Sequence, residues 1–227
     1  MIRLHIVAEG QTEETFVNNT LIEHLATFDV FADVRCVETS RSKKIGKTFR
    51  GGLSKYSKLK ADLLRWIKEE NRHSNVWFTT MIDLYALPED FPNYDLTSKI
   101  KDPYKLVSSL EKELTKDINF SRFIPYIQLH EFEALVLADP AGLENFFMEY
   151  KEHIADLINF VEENANPELI NQGKDTHPAM QIIRRIPEYE GLKSVVGPKV
   201  ASNAGLTILR SKCKHFNSWL AKLEQLG

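Results

Sequence analysis

Val76-Trp77-Phe78-Thr79-Thr80-Met81-Ile82 is an uncharged run of β-branched, aromatic and apolar residues that stops at Asp83. It is too short to cross a membrane and apolar at both alternate positions, which predicts a strand covered on both faces. Such a strand needs helices on either side, and the flanking segments have helical periodicity. Arg3 to Ala8 reads as a first strand, broken at Gly10, with Thr12 as the predicted N-cap of a helix whose stripe holds Phe16, Val17, Leu21, Ile22, Leu25 and Phe28. A second strand is expected over Phe31–Val37, and Lys55–Asn71 reads as a helix burying Leu59, Leu63, Leu64, Trp66 and Ile67.

A helix from Pro103 to about Asp117 leads to a fourth strand, Phe123–Leu129, whose Pro125 suits an edge strand or a strand start. His130 to Ala138 reads as one more helix. Strands alternating with helices imply an α/β fold, a mainly parallel four-stranded sheet flanked by helices, with ligands at the carboxyl ends of the strands. From Ala141 onward only helices are expected. The expected organisation is therefore an α/β domain over residues 1–140 and a helical C-terminal part over 141–227 packed on it.

Of the two cysteines, Cys36 and Cys213, neither belongs to a Cys-x-x-Cys pair, so reduced thiols and a cytoplasmic location are expected rather than a zinc site or disulfide framework. The apolar runs are too short for a signal peptide or a membrane span. Net charge is −3, against a surface that grips nucleic acid everywhere. Its distribution is uneven, however. Residues 39–61 contain no acid but carry Arg41, Lys43, Lys44, Lys47, Arg50, Lys55, Lys58 and Lys60, and 193–223 is a second acid-free stretch. Local cationic surfaces of this kind suit a polyanion held at chosen places.

Three clusters could carry chemistry. In Glu9-Gly10-Gln11-Thr12-Glu13, Glu9 ends the first strand and Glu13 lies in the first turn of the following helix. Two carboxylates at such an edge suit Mg²⁺ or Mn²⁺, although Glu13 could equally complement the helix dipole. Asp83 ends the central strand and is expected at the same edge, as a third ligand or a turn cap. His130-Glu131-Phe132-Glu133-Ala134 lacks the second histidine of a zinc-protease helix. Either His130 and Glu133 face a site together, or Glu131 reaches it from a non-helical turn; plain dipole complementation is the alternative. Gly46-Lys47-Thr48 lacks the first glycine of a P-loop, which Arg41 replaces, so Lys43, Lys44, Lys47 and Arg50 are read as backbone-phosphate contacts or a solvated face.

Val7-Ala8-Glu9-Gly10-Gln11-Thr12-Glu13-Glu14, Thr80-Met81-Ile82-Asp83-Leu84-Tyr85, His130-Glu131-Phe132-Glu133-Ala134-Leu135 and Cys213-Lys214-His215-Phe216-Asn217-Ser218-Trp219 together resemble the Toprim-like proteins. These include topoisomerases, bacterial primases and the RloB and overcoming-lysogenization-defect nucleases. The chain most resembles a bacterial domain of unknown function that accompanies ABC-type ATPases in phage-defence operons. The resemblance implies that Glu9, Glu13 and Asp83 hold the metal and that Glu9 also serves as acid or base. Tyr85 stands where the family's second aspartate would be, so Glu131, Glu133, Asp90 or Asp95 would supply the missing oxygen. Lys193, following Tyr189, is similar to a lysine that stabilises the phosphate.

The expected activity is a Mg²⁺- or Mn²⁺-dependent nuclease, on DNA ahead of RNA, in which His130 or a carboxylate such as Glu133 assists proton transfer. An ABC-type ATPase is the expected partner, and self-association is left open. The alternatives are a non-catalytic interaction subunit of an ATPase complex and a phosphohydrolase of small phosphate compounds.

Overall fold

Ile2–Ala8 forms β1, buried from Leu4 onward. Gly10, in an extended conformation, is the N-cap of α1 (Gln11–Phe16), two residues earlier than the expected Thr12. The reason is local: the Glu13 carboxylate reaches back to the Gly10 N–H at 2.8 Å, the reciprocal half of a capping box. The helix continues through a π-helical turn, Val17–Leu21, into α2 (Ile22–Ala26), and its stripe buries Phe16, Val17, Leu21 and Leu25 but leaves Phe28 exposed. β2 (Val30–Cys36) follows.

The computed structural model describes the chain except residues 43–46, 51, 52, 71, 86, 98, 165 and 171–175, and describes 38–42 and 47–50 by their backbone. Where the basic stretch was expected to be a loop, β3 (Glu38–Ser42) and β4 (Lys47–Arg50) pair antiparallel as a hairpin. Its polar, lysine-rich sequence carries little apolar alternation, so the pairing leaves no periodic signal. Helix α3 (Tyr56–Glu70) buries Tyr56, Leu59, Leu63, Trp66 and Ile67, while Leu64, expected in the core, is exposed. β5 (Val76–Asp83) is the interior strand the sequence predicts. After α4 (Tyr94–Thr97), the helix α5 (Pro103–Ile118) starts at Asp102, whose carboxylate accepts from the Tyr104 and Lys105 N–H groups.

The fourth strand is split. β6 (Phe123–Ile124) and β7 (Ile127–Gln128) are interrupted by Pro125, which has no N–H to give. Thr80 repairs the ladder: its hydroxyl accepts from Tyr126 N–H and donates to Tyr126 C=O, both at 3.0 Å. The sheet runs β2-β1-β5-β6 with parallel pairings throughout this path, and the residues fall into two compact units, 1–127 with 223–227, and 128–222. Because each crossover helix returns to start a parallel strand, the N-termini of α1, α3 and α5 lie at the carboxyl edge of the sheet. Midway along β1, buried His5 packs its ring on Trp66 and Phe78, with centroids 4.4 and 5.1 Å away.

The second unit is helical. It contains α6 (Glu133–Val136), α7 (Lys151–Asn164), α8 (Pro178–Ile183), α9 (Tyr189–Lys212) and most of α10 (Lys214–Glu224), with short 3-10 turns at Pro140–Asn145, Met148–Tyr150 and Pro167–Leu169. The helix expected from His130 is delayed, because His130 adopts the left-handed conformation, φ 61°, and α6 begins only at Glu133. Glu168 is fully buried and accepts from the backbone N–H of His215 and Phe216 at 2.9 and 3.0 Å, capping the start of α10. Phe216 and Trp219 fill the core beside it. The Cys213–Trp219 segment is thus a packed helix start in which the Cys213 thiol is buried and pushed well above its ordinary pKa by burial.

No helix among the described residues is long and apolar enough to cross a membrane.

Candidate functional site

The carboxyl edge of the first unit brings Glu9 and Asp83 together. Glu9 N–H extends the β1–β5 ladder to Met81 C=O at 2.9 Å, which fixes the residue just past the strand end. Its carboxylate then accepts from Asp83 N–H at 3.0 Å through one oxygen and from Leu53 N–H at 3.2 Å through the other. Burial raises the Glu9 pKa, and the two backbone amides offset part of that rise. Asp83 is half-buried, with Oδ1 beneath the surface. Leu53 lies inside the acid-free stretch, between β4 and α3, so the segment that follows the basic hairpin is tied directly to Glu9.

Glu13 is buried on the first turn of α1 with its carboxylate on the Gly10 N–H. Asp90, an alternative ligand from the loop after β5, instead accepts from Tyr56 and Ser57 N–H at 2.8 and 3.2 Å, at the N-terminus of α3. Asp95 lies in the first turn of α4, and Tyr85 follows β5 with its side chain exposed. Among the described residues no three His, Cys, Asp or Glu side chains form a ready-made cation cage. Lys43 and Lys44 lie outside the described residues, and Lys47 and Arg50 are placed on β4 by their backbone alone.

The second unit holds a separate acidic centre. Glu131 sits in the non-helical turn before α6, and Glu133 is the first residue of α6. It accepts from His177 Nδ1 at 2.7 Å and from Ala179 N–H at 2.5 Å, where α8 begins. Glu133 accepts from the Tyr189 hydroxyl at 3.3 Å and pairs with Lys193 Nζ at 3.8 Å. Burial, reinforced by the charge on Glu131, pushes the Glu133 pKa up to about 7, while Lys193 and Tyr189 pull the other way. Lys193 is the residue the sequence singles out; Tyr189 completes its contact. His130 is buried, and burial pulls its imidazole down to about 4, so it is neutral near pH 7.

A family model described as Domain of unknown function (DUF4276) matches residues 8–224. The chain belongs to the DUF4276 family. Because the match begins at Ala8 and runs through α10, both acidic centres fall within the DUF4276 domain rather than in an appendage. No curated protein and no solved structure matches the chain.

His177 and Leu53 are the members of these centres that no sequence pattern marks. His177-Pro178 could have been read as a helix start, since proline favours the first helical position, but its partner Glu131 lies 46 residues away. Leu53 takes part through its backbone, and no side-chain pattern marks a backbone donor. Each Glu9 oxygen keeps a second lone pair beside its amide bond, so Glu9, together with Asp83, could hold a hard cation such as Mg²⁺ or Mn²⁺ with water completing its shell.

Proposed function

We propose that the protein is a divalent-metal-dependent phosphodiesterase acting on nucleic acid, with Glu9 and Asp83 as its acid pair. The observation that supports this reading is the Glu9 carboxylate on the Asp83 backbone N–H at 3.0 Å, which ties the two residues together at the ends of adjacent parallel strands. Open parallel sheets bind ligands at that edge, where the N-termini of α1, α3 and α5 also bring partial positive charge.

Glu9 and Asp83 would hold Mg²⁺ or Mn²⁺, which there would neutralise charge on a phosphate oxygen. Burial disfavours the Glu9 anion, so this carboxylate gains from a neighbouring counter-charge. The Asp83 and Leu53 amides fix its direction and leave it no rotameric freedom to lose on binding. The acid-free segment 39–61, rooted at Glu9 through Leu53, would hold the phosphate backbone through its lysines and arginines, including Lys43, Lys44, Lys47 and Arg50. Effector action beside an ABC-type ATPase in phage defence is the biological setting this reading suggests.

Mn²⁺-stimulated nicking of supercoiled plasmid tests it. Glu9→Ala and Asp83→Ala should each abolish nicking while circular dichroism stays unchanged; full activity in both variants removes the assignment. A second reading, a non-catalytic subunit docking on an ATPase, is favoured by one observation: both Glu9 oxygens already serve backbone amides, as a purely structural carboxylate would.

A further inference from the structure

An open groove of about 690 Å³ runs along the N-terminal half of α5, lined among others by Tyr104, Lys105, Ser108, Ser109 and Lys112. Its volume is within the range of roughly 300–1,000 Å³ that concave ligand sites occupy. α5 is the crossover helix between β5 and β6, so its first turns lie at the sheet edge that carries Asp83, and the groove leads away from that edge.

The groove's lining carries two cations, Lys105 and Lys112, against one acid, Asp102, which caps the start of α5. Asp102 is engaged by the Tyr104 and Lys105 N–H groups at 3.0 and 3.1 Å, Glu111 accepts from Ile127 N–H at 3.0 Å, and Glu113 pairs with Lys116 at 2.5 Å. Asp117 is held by Lys60 at 2.9 Å. The acids of α5 are therefore committed to neighbours, whereas Lys105 and Lys112 are exposed along the groove. Seven residues apart on one helix, their stems start about 10 Å apart along the axis, a spacing at which each can take its own phosphate. Between them lie two hydroxyls, and beside them one aromatic ring. Cations for the backbone together with a π face for an unpaired base are what a single strand needs.

We propose that this groove is the track along which a single strand of nucleic acid leaves the Glu9–Asp83 edge, Lys105 and Lys112 each taking one backbone phosphate. The inference rests on reading that edge as a phosphodiesterase site.

The test separates the two. Labelled single-stranded DNA and RNA are titrated with Glu9→Gln protein in chelator, so that binding is read without cleavage, over a series of salt concentrations. Each of Lys105→Gln and Lys112→Gln should lower the slope of log affinity against log salt by about 0.7, and the pair by about 1.4. Lys116→Gln, already paired with Glu113, should leave it unchanged. The strand type that shows the lysine-dependent slope identifies the sugar. Unchanged slopes in both lysine variants, or no binding of either strand, overturn the track. Glu9-dependent nicking that persists in that case leaves the phosphodiesterase reading standing. Lysine-dependent binding with nicking indifferent to Glu9 does the reverse.

Discussion

Asp83 N–H donates to the carboxylate of Glu9 at 3.0 Å, so a side chain leaving β1 closes the end of β5. The bond makes Glu9 an orienting element as well as a candidate ligand. Glu9→Gln keeps the size but turns an N–H₂ toward one of the two backbone donors. The expected result is loss of Mn²⁺-stimulated nicking by about 10²-fold or more, the scale of removing one positioned catalytic group. Plasmid nicking by purified protein measures it, with circular dichroism confirming the fold.

Glu168 carries a structural load. Its two oxygens hold the His215 and Phe216 amides in a site with no solvent exposure, and a charge-assisted bond contributes about 1.5–3 kcal/mol. Glu168→Ala should therefore lower unfolding free energy by about 2–4 kcal/mol in urea titration, and Glu168→Gln by less, because one acceptor survives. A neutral Glu168→Ala would mean that α10 caps itself another way.

Glu133 gives a pH signature. Its folded pKa is raised from 4.5 to about 7, chiefly by burial. The native state therefore holds a proton that the unfolded chain releases, and stability present below pH 4.5 is lost as pH rises toward 7. The size is on the order of 3 kcal/mol, from about 1.4 kcal/mol per pKa unit. Glu133→Gln should flatten unfolding free energy between pH 4.5 and 8 by that amount; an unchanged profile in the variant contradicts the assignment.

Gly197 tests the support beneath Glu133. A Cβ at this position would meet the Tyr189 hydroxyl at 2.9 Å, inside normal contact. Since Tyr189 is wholly buried, Gly197→Ala should push its hydroxyl off Glu133 at a cost of about 1–3 kcal/mol, despite the better helix propensity of alanine. Thermal melting at pH 7 should show a lower midpoint, and a higher one would mean that the ring has room to shift.

The strands were legible where burial writes a pattern. Val76–Ile82 and Arg3–Ala8 became neighbours in the sheet, and the apolar stripe of α3 gave its helix. The β3–β4 hairpin was hidden because polar residues pair without alternation, and the delay of α6 was hidden because one left-handed residue, His130, changes a turn without changing composition. At the candidate site, the expected strand ends put Glu9 and Asp83 at one edge of the sheet, where β1 and β5 are neighbours. The roles of Leu53, Glu168 and His177 were out of reach, since each depends on a partner more than 40 residues away or on a backbone donor.

Calorimetric titration of Mn²⁺ into the wild-type protein, Glu9→Ala and Asp83→Ala is the most direct test of the acid pair. Saturable heat in the wild type that disappears in both variants is the predicted result. Equal binding in all three proteins, or none in the wild type, would contradict it.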